Sequence, residues 1–309
     1  MVHRRGRRRA ALPKETEELS MPEHKIKITC DSICDLPQEV YREYDIPVMP
    51  LGIVLGDDLR FDGVNISTLE VFDYVDKNGV LPKTTAASVS DYLEFFKKHT
   101  SDGSAVIHIN ISSEFSSCHS SACIAAEQLH EKDGSEIYAI DSRNLSSGAG
   151  HLVLLAHELA AGGMSAPEIA DAVNEAKNRL DVSFVLQTLS YLQKGGRCPG
   201  VVAFGANLLK LRPEIEVKDG KMTVGKKYRG SMEKSIFDYV RGRLEGRTDI
   251  DLHRIFVTHS YVPDELVSKV VELVKELQPF EQVMVSTAGC AISSHCGPNC
   301  IGVLFFRKK

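Results

Sequence analysis

AVIHINISSEFSSCHSSACIAAEQLHEK, residues 105–132, is the stretch whose reading decides the fold. AVIHINI (105–111) is a short apolar run that reads as a buried strand. A serine-rich turn follows, and the segment through ACIAAEQLHEK reads as a helix. Strand, polar turn and helix in that order make one β-α unit. If the unit repeats, the sheet is parallel and covered on both faces.

Working outward, the unit does repeat. Upstream, KIKIT (25–29) reads as a strand, PQEVYREY (37–44) as a helix with Pro in its first turn, and IPVMPLGIVLG (46–56) as a strand before a turn. STLEVFDYVDKNG (67–79) is a helix with a Ser cap, Glu three residues later and a closing Asn-Gly. SVSDYLEFFKKH (88–99) is amphipathic. Downstream, EIYAID (136–141) is a strand and GHLVLLAHELAAGG (150–163) a helix. The character then changes. FVLQTLSYLQKGGR leads into a small-residue helix, VVAFGANLLK (201–210), and RPEIEVKDGKMTVGKKYRG (212–230) reads as a hairpin around Asp-Gly. Helix 231–244, strand 254–259, helix 263–278 and strands 281–286 and 301–306 complete a mixed sheet. The expected fold is α/β with two domains. Residues 25–175 form an N-terminal parallel three-layer α/β/α domain, and 176–309 a C-terminal two-layer mixed-sheet domain. The boundary falls near 164–182.

Composition narrows the classes. The chain has 309 residues, 43% hydrophobic and 26% charged, which suits about two domains. Residues 1–24 read as a disordered tail or a mis-called start. The first twenty hold six Lys/Arg and three Glu, a net of +3 within a total of −5, which leaves −8 for the body. So acidic a body is a poor match for a phosphate backbone, so nucleic acid is not the expected partner. No apolar run approaches the roughly 20 residues that span a bilayer. Eight cysteines without a secretion signal read as reduced thiols of a cytoplasmic protein.

In open α/β sheets ligands sit beyond the carboxyl ends of strands. The polar turns there are Thr29-Cys30-Asp31-Ser32, Ser112 to Ser117, and Asp141-Ser142, with the loop Pro82-Lys83-Thr84-Thr85 as a fourth. A hydroxyl at a helix start is ordinarily an N-cap. With the free N–H groups there it also suits a small anion, and Ser116 and Thr84 suit a carboxylate. No phosphate-binding glycine loop and no G-x-S-x-G elbow occurs. TAGCAISSHCGPNC (287–300) holds three cysteines and a histidine. Cys290-x5-Cys296-x3-Cys300 lacks zinc-knuckle spacing, and adjacent His295 and Cys296 point in different directions on most backbones. Buried small thiols are the simplest reading of the cysteines. That leaves His295 in a loop shaped by Gly297-Pro298.

Six stretches carry a resemblance: ITCDSICDLP (28–37), LPKTTAASVSDYLEFF (81–96), ISSEFSSCHSSA (111–122), IDSRNLSSGAG (140–150), LSYLQKGGRC (189–198) and HCGPNCIGVLF (295–305). In this order and at these spacings the chain, from Ile26 to Phe306, resembles the DegV family of bacterial fatty-acid-binding proteins. The family includes the lipid-binding subunit of fatty acid kinase. The resemblance implies two α/β domains and a long-chain fatty acid between and inside them. Its carboxylate would be held by Thr84, Ser116 and His295, with Asp31, Ser32, Thr85, Ser117 and Gly297 as neighbouring pocket residues. It also implies a partner ATP-dependent kinase subunit that phosphorylates the carboxylate to an acyl phosphate. Arg197 of G-G-R is implied in that transfer or in partner docking. No cofactor, metal or catalytic residue of the chain's own is implied. The family often reads T-S-x-P where this chain has Thr84-Thr85-Ala86-Ala87, S-G-T where it has Ser116-Ser117-Cys118, and H-x-G-P-G where it has His295-Cys296-Gly297-Pro298-Asn299. The alternatives are a stand-alone thiol hydrolase using Cys118 or Cys296, and a regulatory lipid sensor with a vestigial pocket.

Overall fold

The computed structural model describes residues 25–198 and 211–309; the expected tail and the helix expected over 201–210 lie outside the described residues. Strand β1 (Ile26–Asp31) leads through a 3-10 turn at Ser32–Cys34 to helix α1 (Gln38–Glu43). The single strand expected over 46–56 is two. Pro50 has no N–H to give a ladder. It separates β2 (Val48–Met49), paired to β1, from β3 (Gly52–Leu55). A tight turn joins β3 to β4 (Asp58–Phe61). Helix α2 (Thr68–Asn78) follows, begun by a capping box in which Ser67 and Glu70 serve each other's backbone N–H. The segment expected as a loop at 82–85 contains β5 (Lys83–Thr85), which pairs with β3. Then come α3 (Val89–Thr100), β6 (Ala105–Asn110), α4 (Cys118–Asp133), β7 (Ile137–Asp141), α5 (Ser146–Ala161) and α6 (Ala166–Ala176).

The second half opens with β8 (Leu180–Val185), a strand the sequence reading did not anticipate. After it come α7 (Ser190–Gly195), the expected hairpin β9 (Leu211–Lys218) and β10 (Lys221–Arg229), α8 (Met232–Leu244) and β11 (Ile250–Ser260). The chain ends with α9 (Asp264–Leu277), β12 (Gln282–Thr287), α10 (Cys290–Cys296) and β13 (Cys300–Arg307).

Three sheets result. One is four-stranded and wholly parallel, in the order β2-β1-β6-β7. One is six-stranded and mixed, in the order β10-β9-β8-β13-β11-β12, with β11 and β12 its parallel pair. The third is a small antiparallel sheet, β4-β3-β5. Every residue of β6 is buried because α3 and α4 cover one face of the parallel sheet and α5 and α6 the other. On the six-stranded sheet, α8 and α9 cover the outer face over a core of Ile236, Tyr239, Val257, Val270 and Phe305.

Helix α5 lies between the two large sheets. It touches β1 and β6 on one side and β8, β11 and β13 on the other. Ser146 to Leu154 are therefore all buried. A helix apolar on all sides is what such a position requires. Burying Leu152, Val153 and Leu154 is worth roughly 1.5–3 kcal/mol each. The core around α5 is continuous from Ile28 to Leu304, so the two halves share one apolar interior.

Candidate functional site

A cavity of about 340 Å³ opens at this junction. Its apolar walls come from both halves: Ile111 and Phe115 beyond β6, Leu145 before α5, Phe184 of β8, Met222 of β10 and Ile292 of α10. A smaller recess of about 30 Å³ shares Leu145, Phe184, Ile292 and Cys296 with it and continues to Gly302 and Leu304. Polar groups gather in the wall at Thr84, Thr85, Ser116, Ser117, Arg197 and His295.

His295 is not on a loop. It stands in the last turn of α10, a seven-residue helix packed on α2, α7, β3 and β5. Its Nε2 lies 3.0 Å from Thr84 Oγ1 across 211 residues of sequence. Its Nδ1 is buried and has no hydrogen-bond partner among the described residues. Burial, and then the positive charge of Arg197, hold the imidazole down at about 4, so it is neutral near pH 7. Two glycines make room for this arrangement. A Cβ on Gly195 would sit 2.4 Å from His295 Nδ1. One on Gly297, which has φ +73°, would sit 2.7 Å from the Tyr191 ring.

Ser116 precedes α4. Its Oγ accepts Cys118 N–H at 3.3 Å and donates to Cys118 Sγ at 3.1 Å. Thr84 and Ser116 therefore face one cavity from a strand of the small sheet and from the approach to a helix. Arg197 follows α7 and the left-handed Gly196. Its Nη1 donates to Gly195 O at 2.6 Å, so the exposed guanidinium caps that helix end and also borders the cavity.

Asp31 and Ser32 do not reach the cavity wall. Asp31 is fully buried and accepts from Tyr92 Oη at 2.6 Å, His108 Nε2 at 3.0 Å, Asn110 Nδ2, and Ile111 N–H at 2.9 Å. It fixes the root of the serine loop from behind. Ser32 Oγ donates to Asp62 and accepts Leu51 N–H, each at 3.2 Å. Ser112 Oγ donates to Gly220 O at 2.8 Å, tying the same loop to the tip of the β9–β10 hairpin.

None of the eight cysteines is in a disulfide, and seven of them are buried. Burial pushes Cys290 up to about 12 and raises Cys118, while the hydrogen bond with Cys296, and then burial, raises Cys300. Protonated thiols are poor nucleophiles and poor metal ligands. Among the described residues no group of three or more His, Cys, Asp or Glu is placed to hold a metal ion, and no helix is long and apolar enough to cross a membrane.

The sequence reading missed Asp35 and Asp62, which hold the start of α10, and the apolar walls Phe184, Met222 and Ile292. Asp35 left a trace in the Cys-Asp-Leu-Pro turn. Asp62 left none, because its partners on α10 lie more than 220 residues away. The arrangement combines an apolar chamber with a neutral imidazole, hydroxyls and one rim cation at its polar end. Such a site suits an amphipathic molecule with a small hydrogen-bonding head.

Comparison with known proteins agrees in extent and architecture. A DegV domain-containing protein of Clostridium acetobutylicum is 31% identical over 286 residues, covering 92% of this chain and 99% of that protein. A solved DegV family protein from Thermus thermophilus, described by its fatty acid binding, is 28% identical with a TM-score of 0.80 over 92% of this chain and 99% of that one. DegV from Bacillus subtilis, described as a fatty acid binding protein, shares the fold at 24% identity and a TM-score of 0.79, covering 92% of this chain and 100% of that chain. The family model described as "Uncharacterised protein, DegV family" matches residues 25–308, and the chain belongs to the DegV family.

Proposed function

We propose that this chain binds a long-chain fatty acid and presents its carboxylate to a partner kinase. The observation that carries the reading is the cavity itself: apolar walls from both halves, closing on Thr84, Ser116 and His295. Membership of a family with a fatty-acid-binding relative in Thermus thermophilus supports it.

The physics is direct. At about 0.8 kcal/mol per CH2, an acyl chain of ~15 methylenes gains on the order of 12 kcal/mol gross, well above the net affinity after ordering costs. The head group has to be hydrogen-bonded, because a bare buried ion is costly. Thr84, Ser116 and the neutral His295 supply hydrogen-bonding groups, with Thr85 and Ser117 beside them. Arg197 adds positive charge at the rim without sealing the head in an ion pair. Gly297 keeps Tyr191 and α10 in contact. In the transfer step a carboxylate oxygen would attack the terminal phosphorus of the partner's ATP. A C–O–P link forms, the bond to the ADP oxygen breaks, and this chain supplies the acceptor and holds it still. Arginine suits a role beside that phosphoryl group because its planar fork grips oxygens in pairs. Largely buried thiols without a disulfide fit a cytoplasmic location.

Native mass spectrometry of protein purified from bacterial cells tests binding. The expected result is a retained mass of a C14–C18 fatty acid, lost on organic extraction and restored by added oleate. Protein that is empty and takes up no oleate would overturn the reading.

A further inference from the structure

We propose that Asp35 and Asp62 are positioning residues of the head site: a two-carboxylate clamp, built on the first half of the chain, that sets α10 so that His295 meets Thr84. Helix α10 starts at a glycine cap, which has no side chain to receive its first N–H groups. The first half of the chain receives them instead. Asp35 Oδ1 accepts Gly289 N–H at 2.8 Å, and Asp62 accepts Cys290 N–H at 2.8 Å and Ala291 N–H at 3.1 Å. Both carboxylates are buried, and neither takes part in an ion pair among the described residues. They converge on one point: a Cβ on Gly289 would lie 3.1 Å from Asp35 Oδ1 and 3.2 and 3.3 Å from the two oxygens of Asp62.

Asp62 also references the other side of the head site. Ser32 Oγ bridges Asp62 to Leu51 N–H, and Asp62 N–H donates to Leu51 O at 2.9 Å. Leu51 is the residue before β3, and β3 pairs with β5, placing Ile53 opposite Thr84. One side chain thus anchors α10, which carries His295, and the strand pair that carries Thr84. His295 lies about 7.5 Å along the helix from Cys290, at about 1.5 Å per residue, so a tilt at the clamp moves the imidazole directly. Ser146 Oγ donates to Asp35, and Ser286 Oγ donates to the Asp35 carbonyl, which ties the clamp to α5 and β12 as well.

The lipid arm of the test rests on the fatty-acid reading; the other arm does not. In 15N-histidine-labelled protein the His295 resonances are assigned by their loss in His295→Gln. In Asp62→Ala they should move toward the positions seen in Thr84→Val, and oleate retention should weaken by at least roughly tenfold, since the variant loses two N–H bonds to α10 and the bond to Ser32. Thr84→Val should then cost less in the Asp62→Ala background than in wild type, because the contact is already broken. Unmoved His295 resonances in folded Asp62→Ala, or fully additive costs, would overturn the clamp. Should Asp62→Ala not fold, Asp62→Asn carries the same test, since it keeps the side-chain volume but puts an NH2 where a carboxyl oxygen accepts an N–H of α10. Wild-type protein that takes up no oleate defeats the fatty-acid reading alone; the resonances still decide the clamp.

Discussion

Two histidines in this molecule each meet a threonine hydroxyl, and they do opposite things. His108 is fully buried in β6. Its Nδ1 lies 2.8 Å from Thr29 Oγ1 and its Nε2 3.0 Å from Asp31, with Tyr92, Phe95 and Phe96 packed around the ring. Both nitrogens are used and no cavity reaches the ring among the described pockets. His295 meets Thr84 through Nε2, leaves Nδ1 without a partner among the described residues, and stands in a cavity wall. Residue types do not distinguish the two clusters. Saturation and position do: the bonds of His108 are all made inside the core, whereas His295 has one bond made and lines a chamber, which is what a binding site requires.

That contrast breaks most sharply at Asp31. Asp31→Ala strands Tyr92, His108, Asn110 and Ile111 N–H in the core, and should cost about 3–5 kcal/mol in urea denaturation. A loss under ~1 kcal/mol would mean that the closed cluster is not structural.

The open cluster should show the reverse balance. His295→Gln should hold oleate roughly tenfold less tightly while moving stability by less than ~1 kcal/mol at pH 7. Its acid limb should also change. The folded imidazole titrates at about 4, below the ordinary histidine range. Its contribution is present above pH ~6.5 and is lost as pH falls toward 4, because the unfolded chain binds more protons there. Wild type should therefore lose more stability than His295→Gln across that window. His151, held at about 3 by burial, has the same sign but is common to both proteins. Asp35, raised to about 8 by burial, runs the other way, its contribution lost as pH rises through 8. Equal slopes in the two proteins would remove His295 from the acid limb.

Arg197 should give the smallest effect. Losing its contact with Gly195 O should cost about 0.5–1 kcal/mol. Removing its charge should let the His295 imidazole titrate higher, which histidine NMR reads directly. A role in transfer predicts that Arg197→Ala still copurifies with fatty acid yet is a poor substrate for a fatty acid kinase subunit. A variant that loses its lipid would put the guanidinium inside the pocket.

Much of this was legible in the residues. The capping box at Ser67–Glu70 and the Asp219-Gly220 hairpin are built from hydrogen bonds within a few residues, so local pattern determines them. The β-α alternation around AVIHINI determined the parallel sheet and the α/β class by the same logic. Other features are made by partners far apart in sequence. Strands β4 and β5 are four and three residues long, too short to show a period, and exist because β3 lies between them. Helix α10 is short and glycine-capped, and its start is held by Asp35 and Asp62 from the opposite half. The meeting of His295 with Thr84 and the chamber beside them come into being only when both large sheets close on α5. Burying apolar surface across the whole core drives that closure, and no local stretch of sequence carries that term.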